Sequence, residues 1–178
     1  AAQGLVAGIN AARTVQGKDE FVLLRSEAYI GALIDDLVTK GTNEPYRMMT
    51  SRSEYRLLHR QDNADIRLSG IGHEIGLVSD ERYNSVLEKY KAVDREVSRL
   101  KKTHIGPSPA LAQLMENRNT PPITNGVSLA ALICRPQLDY QCLAPFDPER
   151  PALSKDITNE VEITLKYAGY IEKQLKQV

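Results

Sequence analysis

The spacing of apolar side chains along the chain predicts four main helices. Apolar residues recur every three or four positions over residues 1–13, 27–40, 80–102 and 156–178, the period of one buried helix face. The stretch 80–102 follows this period most clearly, and Ser79 precedes it as a capping residue. The pattern therefore predicts a mainly α chain with little β structure.

Shorter elements are predicted between these helices. Residues 21–24 form an apolar run compatible with a strand, and β-branched residues near position 161 leave a strand open at the start of the last helix. Ser26 and Ser69 are predicted as further helix caps, Asp62 or Asn63 as the cap of a short helix, and Gly41 as a helix stop. Short helices are expected at 110–116 and 127–134, and a proline-containing loop at 143–151.

An arginine-rich segment follows the second helix. It contains Arg47, Arg52, Arg56, Arg60 and Arg67 in a chain with a formal net charge of zero. The motif Ser51-Arg-Ser-Glu54 fits a capping box and predicts a helix to about Arg60. On such a helix, Arg52, Arg56 and Arg60 would lie along one stripe, because residues four apart share a face.

The stripe has two interpretations. A local cationic surface on a neutral protein indicates a specific anionic partner, since guanidinium groups match phosphate oxygens. Alternatively, the arginines form salt bridges with Asp35, Asp36, Glu54 or Asp62 and serve as structure. Spacing alone leaves both interpretations open.

Composition narrows the function classes. The three histidines and two cysteines lie in no metal-ligand spacing, and no phosphate-binding loop or nucleophile motif is present. No apolar run reaches the roughly 20 residues needed to span a bilayer, so we expect a cytoplasmic protein without membrane contact.

The chain starts within a helical pattern and without methionine, so we expect a piece of a longer polypeptide.

The first helix combines Gly4 and Gly8 on one face with an apolar stripe. Small residues allow close approach of a neighbouring element or a ligand, and the start of the helix favours electron-rich groups. Faces of Gly and Ala usually indicate tight helix packing, which explains the same composition without a ligand.

Two blocks of sequence carry a family resemblance. AAQGLVAGINAAR, followed by SEAYIGALIDDLVTKGTNEPYRMMTSRSEYRLLHRQDNADIRL, closely resembles the MnmG (GidA) family, and the similarity continues more loosely through IGLVSDERY and VEITLKYAGYIEKQ. The family consists of FAD-dependent enzymes that modify the wobble uridine of certain tRNAs. The resemblance implies that residues 1–68 hold the last helix of an FAD-binding domain and an arginine-rich connector, and that residues 69–178 belong to a truncated helical C-terminal domain.

The resemblance also implies cofactors and partners. Full-length members use FAD and NADH, and they act with an MnmE-type GTPase to build a carboxymethylaminomethyl or aminomethyl group on C5 of uridine 34. A homodimer is implied for the full-length protein. The glycine-rich dinucleotide fingerprint is absent from this chain, so we expect it to retain neither cofactor and to lack activity by itself.

Candidate site residues follow from matched positions. Gln3 and Gly4 correspond to the family's helix start beside the flavin. Arg47, Arg52, Arg56 and Arg60 lie in its most recognisable block and are the candidate tRNA contacts. Tyr46 and Tyr55 could stack on a splayed base or belong to the core.

Overall fold

The computed structural model describes residues 1–41 and 43–176. Within them the chain is mainly α, as predicted, with one two-stranded sheet. The helices are α1 Ala2–Val15, α2 Tyr29–Thr39, α3 Ala64–Glu74, α4 Asp80–Lys102, α5 Pro109–Asn117, α6 Leu129–Ile133 and α7 Lys155–Leu175. The strands are β1 His104–Ile105 and β2 Val127–Ser128, and 3-10 turns cover Thr50–Arg52 and Ala144–Phe146.

The chain folds as two compact units. The first comprises Ala1–Ser79 together with the C-terminal residues from Gln174, and the second comprises Asp80–Lys173. The division into residues 1–68 and 69–178 that the sequence suggested remains a prediction.

The second unit contains the large apolar core. The core draws fully buried side chains from four helices: Val93, Leu100, Leu111, Met115, Leu129, Leu132, Ile133 and Val161. β1 pairs antiparallel with β2, with His104 opposite Ser128. The apolar period of α4 thus predicted both its bounds and its buried face.

In the first unit, α1 and α2 pack together beside the extended segment at residues 21–24. A Cβ atom built on Gly31 of α2 would lie 2.4 Å from the carbonyl oxygen of Leu24, so α2 touches this segment backbone to backbone. The segment is not a strand: both polar groups of the Asn10 side chain bond the Phe21 backbone, at 2.7 and 3.0 Å, in place of a neighbouring strand.

The predicted helix across the arginine block is wrong. Residues 53–60 are non-helical, with turns over 54–58 after the 3-10 turn Thr50–Arg52. The capping box does not form because the Glu54 carboxylate binds Arg25 and not the backbone amide of Ser51. Ser53 is buried at 3% exposure, and its Oγ accepts a hydrogen bond from the Tyr55 amide.

Two of the predicted caps are also wrong. Ser26 precedes α2 by three residues because the Leu24 carbonyl accepts hydrogen bonds from the amides of Glu27 and Ala28, and this turn delays the helix start. Ser69 lies inside α3, which begins after Asn63. The stop at Gly41, with φ of 63°, agrees with the prediction.

The remaining elements follow the sequence with local changes. The helix predicted at 127–134 begins at Leu129, because Val127 and Ser128 form β2 and Ser128 caps α6. The start of α7 is helical and not a strand. Thr42 and the predicted end of the last helix at residues 177–178 lie outside the described residues.

Candidate nucleic-acid interface

Arg25 is the charged centre of the first unit. Its Nη1 lies 2.9 Å from Asp35 Oδ2 and 2.8 Å from Asp36 Oδ1, while Nε and Nη2 bind the two oxygens of Glu54 at 2.7 and 2.8 Å. Nη1 also donates to the Ala32 carbonyl at 3.2 Å. These bonds to Glu54, and then to Asp36 and Asp35, raise the pKa of Arg25. The same contacts lower the pKa of Glu54 to about 2.

Asp36 is the most deeply buried acid of this network, at 5% exposure. Besides the Arg25 bond, its carboxylate accepts hydrogen bonds from Lys40 Nζ at 2.9 Å and from the Tyr46 hydroxyl at 2.7 Å. Lys40, and after it Tyr46, lower the pKa of Asp36 against the opposing effect of burial. A buried carboxylate with three donors stays ionised and fixes the elements that carry those donors.

Tyr46 connects this network to the arginine block. Its ring lies under the guanidinium of Arg52, 5.8 Å from the ring centroid, within the range of a cation–π contact. Burial, together with the hydrogen bond to Asp36, raises the pKa of Tyr46. Tyr46 therefore orients Arg52, and its hydroxyl is already engaged.

Two adjoining clefts border the arginine block. One has a volume of about 790 Å³ and the other about 460 Å³, and Lys40, Ser51 and Arg52 line both. Arg47 lines the first cleft and Arg56 the second. We call the combined cleft bordered by Lys40, Arg47, Arg52 and Arg56 the basic groove.

The basic groove has an excess of positive charge. The described basic residues that line it are Arg25, Lys40, Arg47, Arg52 and Arg56, and the acidic ones are Asp36, Glu44 and Glu54. Arg47, Arg52 and Arg56 are exposed, and no ion pair joins them to any residue that the structure describes. Their guanidinium groups are thus available to an external anion.

Arg60 differs from these three arginines. Its side chain is 15% exposed and forms an ion pair with Asp62 at 2.9 Å, while Nη1 donates to the Leu57 carbonyl at 2.9 Å. Arg67 is held similarly, with bonds to the carbonyls of Glu27 and Arg60. The predicted stripe of Arg52, Arg56 and Arg60 therefore does not exist, and only its first two members border the groove.

His59 connects two loops of the same unit. Its Nε2 donates to the Ser26 carbonyl at 3.2 Å, which leaves Nδ1 to accept from the Ser53 hydroxyl at 3.3 Å in the neutral ring. Burial lowers the pKa of His59, which favours that neutral form. The Tyr55 ring packs against His59, with centroids 6.2 Å apart, and does not line the basic groove.

Gln3 and Gly4 lie in the first turn of α1, and both are exposed. No described atom lies within 4 Å of a Cβ built on Gly4 or on Gly8, and both glycines line a cleft of about 290 Å³. The glycine face of α1 is thus open to close approach within the described residues.

The second unit contains a comparable buried ion cluster. Arg99 bonds both oxygens of Glu96 and both oxygens of Asp147, at 2.6 to 2.9 Å. Tyr140 donates to Glu96 at 2.9 Å, and burial together with this bond raises the pKa of Tyr140 to about 12. Every polar group of the cluster has a partner, which is typical of a structural core.

Other kinds of site are not found among the described residues. No three His, Cys, Asp or Glu side chains gather in an arrangement suited to a metal ion. Over the same residues, no helix combines the length and the apolar character needed to cross a membrane.

Sequence reasoning missed the organising residue of the first unit. It named Asp35, Asp36 and Glu54 as counter-charges but assigned them to the wrong arginines. Arg25 lies alone between the apolar run 21–24 and the start of α2, where no spacing pattern connects it to residues 10 and 29 positions away. The acidic pair on α2 was the available signal, because a buried carboxylate requires a cation.

Known proteins share both the sequence and the fold. The family model described as the tRNA modifying enzyme MnmG/GidA C-terminal helical domain matches residues 80–175. The tRNA uridine 5-carboxymethylaminomethyl modification enzyme MnmG of Caldicellulosiruptor saccharolyticus is 57% identical over all 178 residues, and that of Clostridium kluyveri is 53% identical. The chain spans 28% of the length of each of these relatives.

A solved structure gives the same result. Aquifex aeolicus GidA, in its form II crystal, superposes with a TM-score of 0.84 at 39% identity, over 98% of this chain and 27% of that one. The match of the helical-domain model to more than half of the chain, with relatives above 50% identity across all of it, establishes that this chain belongs to the MnmG/GidA family.

Proposed function

We propose that this chain is the part of a tRNA wobble-uridine modification enzyme that docks tRNA, and that the basic groove receives the tRNA backbone. The parent enzyme would act on C5 of uridine 34, adding a carboxymethylaminomethyl or aminomethyl group. The observation that carries the proposal is a set of exposed arginines that form no ion pair with any described residue, Arg47, Arg52 and Arg56, on a chain of zero net charge.

The chemistry of the groove suits phosphate. Guanidinium groups donate two parallel hydrogen bonds to phosphate oxygens. When an exposed arginine binds phosphate, these bonds replace most of the hydrogen bonds that it made to water. Lys40, 69% exposed, adds a fourth cation at the border of both clefts. Arg60, paired with Asp62, is assigned to bracing its loop and not to tRNA contact.

A second candidate function is a structural scaffold. The ion pairs of Arg25 with Asp35, Asp36 and Glu54 favour it, because such a network holds α2 against the loop at residues 53–54. The two proposed functions involve different arginines, Arg25 for the scaffold and the groove arginines for docking. The scaffold proposal is therefore compatible with the docking proposal.

The cofactor proposal rests on family membership and on the open face of α1. Gln3 and Gly4 are exposed, and a Cβ built on Gly4 would meet no neighbouring atom within 4 Å, so these residues fit the role of contacting FAD in the intact enzyme. FAD, with NADH as reductant, would supply the electron transfer of the modification. We expect this chain alone to bind no flavin, and stoichiometric flavin absorbance after purification would contradict this.

The remaining partners are proposed on the same basis. The intact protein would act in the cytoplasm as a homodimer and together with an MnmE-type GTPase. Co-purification of the GTPase with the intact protein tests that part directly.

Steady-state kinetics of the intact enzyme test the docking proposal. Arg52→Ala and Arg56→Ala should each raise the KM for tRNA about three- to tenfold and leave kcat within about twofold, because they remove binding to phosphates remote from the reacting base. Arg95→Ala is the control, since Arg95 is an exposed arginine on α4 that bonds only a carbonyl of its own helix among the described residues. An unchanged KM in both groove variants would contradict the proposal.

A further inference from the structure

The acidic partners of Arg25 lie in or next to the basic groove, so Arg25 affects the charge of the groove as well as connecting structural elements. Arg25, Asp36 and Glu54 all line the basic groove, and Asp35 is half exposed next to Asp36. The three carboxylates that Arg25 binds thus lie in or next to a surface that is proposed to receive a polyanion. Of the two that line the groove, Glu54 is the more open, at 36% exposure against 7% for Asp36.

The charge of the groove depends on this one residue. Lys40 and Tyr46 would still compensate Asp36 without Arg25, but no other described cation pairs with Glu54 or Asp35. Loss of Arg25 removes one positive charge and leaves Glu54 uncompensated beside Arg52 and Arg56 in the groove, while Asp35, which lines a neighbouring cleft, also loses its cation. The excess of two positive charges among the lining residues would then fall to one.

We propose that Arg25 is a positioning residue for tRNA binding, which neutralises Glu54 and Asp35 so that the basic groove stays attractive to phosphate. The proposal rests on the docking function above and names the residue that sets the charge of that same site.

A charge-compensation experiment on the intact protein separates this role from a structural one. The affinity for tRNA is measured between about 50 and 300 mM KCl for wild type, Arg25→Gln, Glu54→Gln and the double variant. Arg25→Gln should weaken binding about five- to tenfold at low salt, and the difference should shrink at high salt, where exposed charges are screened. The double variant should recover to within about twofold of wild type, although it restores no ion pair.

Glu54→Gln and Arg25→Lys keep the proposal testable if Arg25→Gln fails to fold. Glu54→Gln should bind tRNA about two- to threefold more tightly at low salt, since it removes a negative charge from the groove. Arg25→Lys keeps the positive charge but loses the two parallel hydrogen bonds of the guanidinium group, and its affinity for tRNA should be within about threefold of wild type. A purely structural Arg25 predicts the opposite: weaker binding by Glu54→Gln and no recovery in the double variant.

Arg99 provides a matched control, because it binds two carboxylates in the same manner in the second unit and lines neither cleft of the groove. Arg99→Gln should lower the melting temperature without changing the salt dependence of tRNA binding. The outcomes separate the two proposals. If Arg52→Ala and Arg56→Ala weaken tRNA binding but adding Glu54→Gln to Arg25→Gln does not restore it, only the proposed role of Arg25 is contradicted. If neither Arg52→Ala nor Arg56→Ala weakens binding, the docking function itself is contradicted.

Discussion

The guanidinium of Arg52 lies over the ring of Tyr46, 5.8 Å from the centroid, and this contact connects the groove to the buried carboxylate beneath it. Tyr46 donates its hydroxyl hydrogen to Asp36, so the ring cannot turn freely under the arginine. An exposed arginine is thereby held in a defined position, which reduces the side-chain entropy lost when it binds phosphate.

Substitutions of Tyr46 should separate its two contacts. Tyr46→Phe keeps the ring but removes a hydrogen bond to a buried charge, so it should lower the free energy of unfolding by about 1–2 kcal/mol with tRNA affinity within about twofold. Tyr46→Ala also removes the cation–π contact and should weaken tRNA binding about threefold more. Tyr170→Phe, at a 64% exposed tyrosine, is the control. Equal affinities of the Phe and Ala variants would show that the ring does not orient Arg52.

Arg56 and Arg60 should behave in opposite ways, although they lie four residues apart. Arg60→Ala removes the ion pair with Asp62 and the bond to Leu57, and it should cost about 1–3 kcal/mol of stability with an unchanged salt slope of tRNA binding. Arg56→Ala should change stability by less than about 0.5 kcal/mol and reduce the slope by about one. Chemical denaturation and filter binding on the same two variants measure both quantities.

The acid titration of Glu54 reports the Arg25 network. The folded-state pKa of about 2 lies below the ordinary value of 4.5, so the folded form favours the ionised carboxylate. Its contribution to stability is therefore fully present above about pH 4.5 and is lost as the pH falls towards 2. The carboxyl carbon shift in an NMR titration should have its midpoint near pH 2, and Arg25→Lys should move this midpoint upwards. A midpoint near 4.5 in the wild type would contradict the ion pair.

Two glycines should respond differently to the same substitution. Gly31→Ala places a Cβ against the Leu24 carbonyl oxygen at 2.4 Å, so it should destabilise the first unit by about 1–3 kcal/mol or more. Gly8→Ala on α1 has open space and should stabilise the isolated chain by about 0.5–1 kcal/mol through helix propensity. Thermal unfolding monitored by circular dichroism distinguishes the two signs.

The apolar period predicted the helices but not the groove. The bounds of α4 followed from the sequence because its apolar period continues along the 23-residue helix, although its buried side chains lie only in the part from Val93 to Leu100. Short segments were predicted less accurately. Ser51 and Glu54 match a capping box, but Glu54 forms an ion pair with Arg25, which lies 29 residues away in the sequence. Here the bidentate ion pair forms in place of the local capping motif. Ion pairs between residues far apart in sequence produce no periodic pattern, so a single sequence does not reveal them.

The same limit applies to the individual arginines. Arg52, Arg56 and Arg60 look equivalent when their spacing alone is read, but Arg60 has a partner two residues later in Asp62, and the other two have no ion pair among the described residues. Availability for a ligand depends on such partners, and the fold decides which pairs form.

The salt dependence of tRNA binding by a triple variant, Arg47→Gln, Arg52→Gln and Arg56→Gln, tests whether the basic groove binds the tRNA backbone. Each phosphate contact contributes about 0.7–0.9 to the slope of log Kd against log salt concentration. The docking account predicts that the intact triple variant, folded as judged by its melting temperature, loses about two to three from the wild-type slope and binds tRNA at least about a hundredfold more weakly at low salt. A folded triple variant with the wild-type slope and affinity would contradict it.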